Sequence, residues 1–394
     1  MMTAKTLVGA ADEQPRKKIR RKRANNEGTV YQRADGTWCG QVYVLTTDGT
    51  EKRKTVYGKT ADEARAKIDE MKSKSRQGVP VANRAWKVGE YLDYWLNEVA
   101  RHSIRKTTYA KYETIVRLYL KPRLGRKRLD RLTVADVQTF LNGMLNGDHA
   151  IGTIHVMRNV LSAALTRAIR EEILTRNVAR LATLPPLDPQ RNRPWTADEA
   201  RAFLQAARAD QLYPAFVLLL VHGLRRGEAL GLRWVDVDFD EGHVDIRRQL
   251  VRVGKELHHG PVKTNAGKRS LPLLGIIREA LEIQRRGQEI MKEQAGDDWA
   301  DTGLVFTTRS GLPIEPRNLA RSFARIVKAA KLRPIRVHDL RHTAASLLKK
   351  LGVAPRDAME ILGHSRISVT MEIYTHGDGE SRENAIKMVN DLFE

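Results

Sequence analysis

Residues 338–374 bring His338, Arg341, His364 and Tyr374 into three short segments of helical pattern. His338 and Arg341 are three residues apart, which puts them on one face of a helix. Leu340, Ala344, Leu347, Leu348 and Leu351 give that helix an apolar side to bury, and Gly352 closes it. Pro355 opens a second short helix that ends at Gly363 and leaves His364 in the turn, and a third carries Val369, Ile373 and Tyr374. Arginine matches two phosphate oxygens with its planar fork, histidine moves protons near neutral pH, and tyrosine can form a covalent intermediate. Side chains of these types point to attack on a phosphodiester, chemistry that needs no metal.

Two further clusters lie upstream, HGLRRGEALGLRW at 222–234 and PVKTNAGKRSLPL at 261–273. An arginine box, a lysine segment, H-x-x-R, and then G-H followed ten residues later by tyrosine come in one order, and together they resemble the active site of the tyrosine recombinase (phage integrase) family. The resemblance implies roles residue by residue. Tyr374 is the expected nucleophile, and Arg225 and Arg341 the clamps on the scissile phosphate, where stabilising developing charge is the largest catalytic effect. Lys263 is the expected general acid for the leaving 5′ oxygen, with Lys268 and Arg269 as neighbouring competitors. His338 assists proton transfer with Tyr374, whose phenol ordinarily titrates near about 10, and His364 donates a hydrogen bond to the phosphate. Glu228, three residues after Arg225, is expected to buttress it or His338. Arg226 is the alternative to Arg225, but adjacent helical residues point about 100° apart. His222 replaces the family's usual threonine, and Gly267 stands where a serine is common.

What must position these groups is a chain of 394 residues, long enough for two or three domains. Its 41% hydrophobic and 29% charged residues are those of a globular protein. The formal net charge of +22 favours a polyanion, with counterion release from DNA phosphates as the energetic source. A single cysteine, Cys39, excludes an internal disulfide framework and fits a reducing compartment. The longest apolar window, Ala215 to Val221, is too short to span a membrane, and no secretory signal is read at the start.

Residues 1–24 read as a disordered tail ending in the basic run Arg16 to Arg23. Residues 25–76 read as three strands, broken at Asp35-Gly36 and Asp48-Gly49, followed by a helix capped at Thr60. This resembles the arm-type DNA-binding domain of integrases, which implies that Arg33, Lys52, Arg53 and Lys54 lie near phosphates or base edges. Gly58-Lys59-Thr60 fails as a phosphate-binding loop, because Arg53 stands where its first glycine is needed. After a linker at 77–84, residues 85–181 show helical periodicity almost throughout and resemble a core-binding bundle. Lys106, Thr107, Thr108 and Lys111 form a phosphate seat at the start of its second helix. A proline-rich linker, 182–194, leads to the catalytic domain, 195–394, whose segments HVDIRRQLVRV, KELHHGPVKT and KRSLPL read as one three-stranded antiparallel sheet. Its tail carries an apolar stripe of Ile386, Val389 and Phe393 that docks either on its own domain or on a neighbouring subunit.

The fold class is therefore multidomain α+β: a small three-stranded sheet with a helix, a helical core-binding bundle, and a mainly helical catalytic domain with a small antiparallel sheet. A metal-dependent nuclease is one rival, since His338 and His342 have zinc-ligand spacing and Asp297, Asp298 and Asp301 cluster. Against it, Arg341 would set a fixed positive charge beside the metal, so neither metal nor cofactor is expected. A non-catalytic DNA-binding regulator is the other rival, and a topoisomerase would share the chemistry. The resemblance implies an integrase of a phage or other mobile element. It would act as a homotetramer on double-stranded DNA, at core and arm attachment sites, in the cytoplasm of a bacterial host and associated with the nucleoid. An excisionase or a host DNA-bending factor would be its accessory partners.

Overall fold

The computed structural model describes residues 28–46, 50–76, 86–187, 193–273 and 275–374. The basic arm, the Asp48-Gly49 turn, the linker at 77–84 and the stripe of Ile386, Val389 and Phe393 lie outside the described residues. The rest divides into two compact units, 28–100 with 113–185, and 101–112 with 186–374.

The first unit begins with an antiparallel sheet of three consecutive strands, β1 (Thr29–Gln32), β2 (Trp38–Leu45) and β3 (Glu51–Gly58). Gly36, at φ 81°, makes the first turn. Helix α1 (Ala61–Arg76) covers one face, burying Val42, Val44 and Val56 with Ile68. Pleating sends alternate side chains to opposite faces. Arg53 therefore sits opposite Tyr43 on the open face, and the Arg33 guanidinium lies 5.7 Å from the centre of the Tyr57 ring. Lys52 and Lys54, paired with Val44 and Val42, project to the face that α1 covers, so the four basic residues expected to act together are split between two faces.

Four longer helices follow in the chain: α2 (Val88–Tyr94), α3 (Lys106–Ile115), whose residues 106–112 fall in the second unit, α4 (Val134–Leu145) and α5 (Ile151–Arg170). Thr133 and Asp136 form a reciprocal capping box at the start of α4. Val137, Phe140, Leu141 and Met144 on α4, and Ile154, Met157, Leu161 and Leu165 on α5, are buried at three- and four-residue steps. Lys106, Thr107 and Lys111 are exposed on the first turns of α3, and Thr108 is half-buried there.

In the second unit α6 (Ala197–Ala207) starts from a Thr196–Glu199 capping box. Next comes α7 (Tyr213–Val221), buried from Tyr213 to Leu220, as a helix apolar on every side must be. Helices α6, α7 and α10 (Pro316–Ala329) share an aromatic cluster of Trp195, Phe203, Phe216 and Phe323, with ring centres 5.1 to 6.1 Å apart. The Trp195 backbone N–H donates to Thr343 Oγ1 at 3.1 Å, and its indole N–H to the Arg333 carbonyl at 3.0 Å, which anchors α11 (Asp339–Lys350) to this core. A short helix α8 (Arg226–Leu230), the long helix α9 (Ile276–Ala295), α12 (Pro355–Leu362) and α13 (Ile367–Tyr374) complete the helical set used below.

The strands correct the expected single three-stranded sheet. They form two sheets, β4 (Val237–Asp238), β5 (His243–Ile246) and β8 (Arg269–Pro272) in one, and a hairpin of β6 (Arg248–Val253) and β7 (Glu256–Pro261) in the other. The run HVDIRRQLVRV is interrupted at Arg247: residues 243–246 pair with β8 and residues 248–253 with β7. The β6–β7 hairpin turns at Gly254, and Lys263 lies not at that tip but in the connection 262–268 between β7 and β8.

Replacing Phe203 with alanine should remove the centre of the aromatic cluster and cost about 3–5 kcal/mol of unfolding free energy. Urea unfolding followed by tryptophan fluorescence measures it, and a loss below about 1 kcal/mol would show that the cluster does not hold the unit together.

Candidate active site

Gly223, at φ 61°, turns the chain out of buried α7, and a Cβ there would lie 2.4 Å from Leu362 Cδ2, so this turn excludes other residues. The turn delivers Arg225 as the residue that caps α8. Glu228, 1% exposed, accepts from the Arg225 backbone N–H at 3.1 Å and from Arg225 Nη1 at 2.6 Å. Arg225 Nη2 donates to the Gly363 carbonyl at 3.0 Å, which ties α8 to the turn after α12. Arg226, the alternative, is exposed, whereas Arg225 is half-buried against Glu228.

Arg341, on the first turn of α11, is 4% exposed. Its Nη1 donates to the Gly223 carbonyl at 2.8 Å, while Nη2 is buried with no hydrogen-bond partner. Burial, and then the charge of Arg225, push its guanidinium down to about 9. Arg269 is buried as well: Nε donates to the Ile361 carbonyl at 2.7 Å, Nη1 to the Gly267 carbonyl at 3.0 Å and Nη2 to Glu228 Oε2 at 3.1 Å. Burial alone would raise the Glu228 carboxyl, but Arg269 and Arg225 beside it hold it below the usual range. Two guanidinium groups thus converge on one carboxylate, with Arg341 close enough to feel their charge.

Gly363 closes α12 in the left-handed region, and the turn after it places His364, 8% exposed, beside the same charges. Its Nδ1 is 2.9 Å from Thr370 Oγ1. With the Thr370 hydroxyl donating to Nδ1, Nε2 carries the proton and is free to donate. Burial, then Arg341 and Arg225, lower His364 to about 4. His338, although an exposed residue, is lowered too, first by the atoms packed around it and then by His342 and Arg341. His338 and His342 meet edge to face at 5.4 Å. Among the described residues no group of three or more His, Cys, Asp and Glu has the arrangement to hold a metal ion. His222, at the unusual position before Gly223, is buried, donates from Nε2 to the Pro272 carbonyl at 3.0 Å and is lowered by burial to about 4. Gly267, at the other, packs against Val262.

Tyr374 ends α13, and its hydroxyl donates to the Val353 carbonyl at 2.9 Å in the turn between α11 and α12. No described hydrogen bond joins it to Arg225 or Arg341. Burial and then the Asp357 carboxylate raise its phenol above the ordinary value. Lys263 is exposed. Arg269, once a competitor for its role, is fully engaged in the interior, whereas Lys268 remains exposed. Sequence reasoning missed the parts played by Arg269 and Thr370. Arg269 shares strand parity with buried Leu271 and Leu273, and Thr370 lies one helical turn before Tyr374, so both signals were present.

Residues 194–380 match the model of the phage integrase family, and residues 87–145 that of the phage integrase N-terminal SAM-like domain. A tyrosine recombinase XerC-like protein of Caldanaerobacter subterraneus subsp. tengcongensis is 30% identical over 361 residues, which cover 86% of this chain and 92% of that protein. The chain belongs to the phage integrase family of tyrosine recombinases. An integrase of Saccharopolyspora erythraea is 26% identical, with 95% of this recombinase and 98% of the relative covered. The Tn1549 transposon integrase in complex with a circular intermediate DNA superposes with TM-score 0.67 at 23% identity, over 77% of this recombinase and 99% of that chain. A lambda integrase tetramer bound to a Holliday junction gives TM-score 0.58 at 20% identity, over 91% and 98%. At such identities the structural likeness is one of fold, and it is the mixed α and β layout expected. The recombinase is thus a site-specific DNA recombinase of mobile-element type, in an enzyme class that acts through a tyrosine–DNA intermediate. None of its described helices is long and apolar enough to cross a membrane.

The lowered histidines fix a pH dependence. His222 and His364 fold with values of about 4 against an ordinary 6.5, so between these limits the unfolded chain binds more protons and stability falls as pH falls. DNA-free protein should be most stable above about pH 6.5 and lose stability progressively toward pH 4. His364→Asn should reduce that loss by up to about 1.4 kcal/mol per pH unit. Denaturant titrations at pH 5 and 7 give the slope, and identical stability at both values would refute the assignment.

Proposed function

We propose that this recombinase integrates a phage or other mobile element by cutting and rejoining DNA at attachment sites through a 3′-phosphotyrosyl link to Tyr374. The observation that carries the reading is Arg341 Nη2, a buried donor without a partner beside Arg225. Such a donor is costly unless something accepts from it. Arg225, Arg269 and Arg341 against Glu228 leave an excess of two positive charges. A phosphodiester brings one negative charge, and its five-coordinate transition state gathers a second. The seat thus suits the transition state better than the ground state.

In the step proposed, the Tyr374 Oη–P bond forms as the P–O5′ bond breaks. The phenol proton passes to His338, and the Lys263 ammonium gives a proton to the departing O5′. Arg225 and Arg341 hold the non-bridging oxygens, and His364 donates to one of them from Nε2. Attack by the 5′ hydroxyl of another strand reverses each transfer and restores a phosphodiester, so no ATP or cofactor is consumed. The raised phenol value makes proton removal part of the task, and the hydrogen bond to Val353 must be exchanged before attack.

The assembly in this reading is a homotetramer on two duplexes, with one strand cut per active subunit and a four-way junction between the two exchanges. Support comes from the fold shared with the lambda integrase tetramer. Lys106, Thr107, Thr108 and Lys111 seat core-site phosphates at the start of α3, while Arg33 and Arg53 approach arm-site DNA. Lys52 and Lys54 add charge from the other face. An excisionase or a host DNA-bending factor would set direction, and the reaction takes place on DNA inside a bacterial cell.

A suicide substrate that loses its 5′ hydroxyl on cleavage tests the chemistry. Wild type should accumulate a covalent protein–DNA adduct and Tyr374→Phe none, while Arg225→Ala and Arg341→Ala should each slow trapping by about 10²–10³-fold. An adduct formed by Tyr374→Phe at the wild-type rate would sink the assignment.

A further inference from the structure

Arg269 has a buried side chain that joins three parts of the candidate site. From β8 it donates to the Ile361 carbonyl near the end of α12, to the Gly267 carbonyl in the connection that bears Lys263, and to Glu228, which holds Arg225. The junction is tight from both sides. A Cβ at Gly363 would lie 2.8 Å from Arg269 Nη1 and 2.9 Å from the Ala266 carbonyl, so the turn before His364 rests directly on Arg269 and on the Lys263 connection. That connection is short: the Gly267 N–H donates to the Thr264 carbonyl at 2.9 Å, and the Lys268 N–H to the Asn265 carbonyl at 2.9 Å. Fixing Gly267 therefore limits where Lys263, four residues earlier, can sit. The fork is matched to this task, because five N–H donors in one plane reach three acceptors on separate chain segments, whereas an ammonium on a flexible stem does not hold all three.

We propose that Arg269 is a positioning residue that sets the Lys263 connection against the phosphate seat, so that proton delivery to the leaving oxygen depends on it. This rests on the reading of Lys263 as general acid. DNA carrying a 5′-bridging sulfur at the scissile position separates the two ideas, since a thiolate leaves without a proton. Single-turnover cleavage would be measured on oxygen and sulfur substrates for wild type, Lys263→Ala, Arg269→Lys, Arg269→Gln and Glu228→Gln, with DNA affinity and thermal melting recorded for each.

Lys263→Ala should lose about 10²–10⁴-fold on oxygen, the usual worth of a general acid, and recover most of it on sulfur. Arg269→Lys should bind DNA within about threefold of wild type, lose at least about tenfold on oxygen and regain most of that on sulfur, placing its effect on proton delivery. Glu228→Gln, which acts on Arg225, should be slow on both. Equal defects of Arg269→Lys on the two substrates, or no defect, would overturn the inference while leaving Lys263 as the acid. Failure of Lys263→Ala to recover on sulfur would overturn that reading and the inference with it. Loss of cooperative melting in both Arg269 variants would mark a residue that holds the fold, and would overturn the inference as well.

Discussion

Everything in the candidate site depends on one buried carboxylate. Glu228 is 1% exposed and takes hydrogen bonds from the Arg225 backbone and side chain and from Arg269. A carboxylate so placed is tolerated only because paired charges and donors replace the water it has lost. In return it orders two guanidinium groups that would repel each other if brought together without it. The third, Arg341, is left outside this pairing, held by the Gly223 carbonyl and not by a carboxylate. A second acid at this point would neutralise the site and occupy the donor that a phosphate needs. The shortage of negative charge therefore keeps the arrangement from being a closed ion-pair network and leaves the Arg341 donor open.

Main-chain carbonyls, more than side chains, fix where the guanidinium groups point. Gly223, Gly267, Ile361 and Gly363 each offer a carbonyl to Arg341, Arg269 or Arg225. All four lie in or beside turns, where carbonyls are not consumed by regular ladders. The turns are positioned by helices with their own reasons to be still: α7 is buried on all sides, and α11 is pinned through Thr343 to Trp195 in the aromatic cluster. Rigid elements far apart in sequence thus present soft, polar ends to one point. Left-handed glycines at 223 and 363 let those ends approach without a side chain in the way.

Much of this was legible in residue order. Capping residues at Thr133 and Thr196, the apolar periodicity of the bundle and the Gly363 stop read directly as elements, because local preference and packing agree there. The four boxes supplied the candidate site residues, and Arg225, Arg341 and His364 lie close together in the fold. Two kinds of information were not local. Strand pairing in 237–272 changes partner at Arg247, and the simple run of β-formers concealed that break. The inward placement of Arg269 needed its parity with Leu271 and Leu273 to outweigh the expectation that an arginine faces solvent. A similar oversight put Lys52 and Lys54 beside Arg53, although strand alternation sends them to opposite faces.

Tyr374 stands apart from this rigidity, and the contrast is chemically sensible. Arg225, Arg341 and His364 are held by turns and buried partners, whereas Tyr374, the proposed nucleophile, is carried by an eight-residue helix after the Gly363 turn, with its hydroxyl on the Val353 carbonyl. A phenol donating to a carbonyl keeps its proton, and burial with Asp357 nearby raises its value further, so it is a weak nucleophile as held. An enzyme that must rejoin what it cuts has reason to withhold attack until a phosphate is gripped. A phenolate lodged permanently among three guanidinium groups would itself satisfy the vacant Arg341 donor and compete with DNA for the seat. Keeping the hydroxyl on a neutral carbonyl leaves the Arg341 donor open, and in the proposed reaction the bound phosphate supplies the free energy to exchange that hydrogen bond.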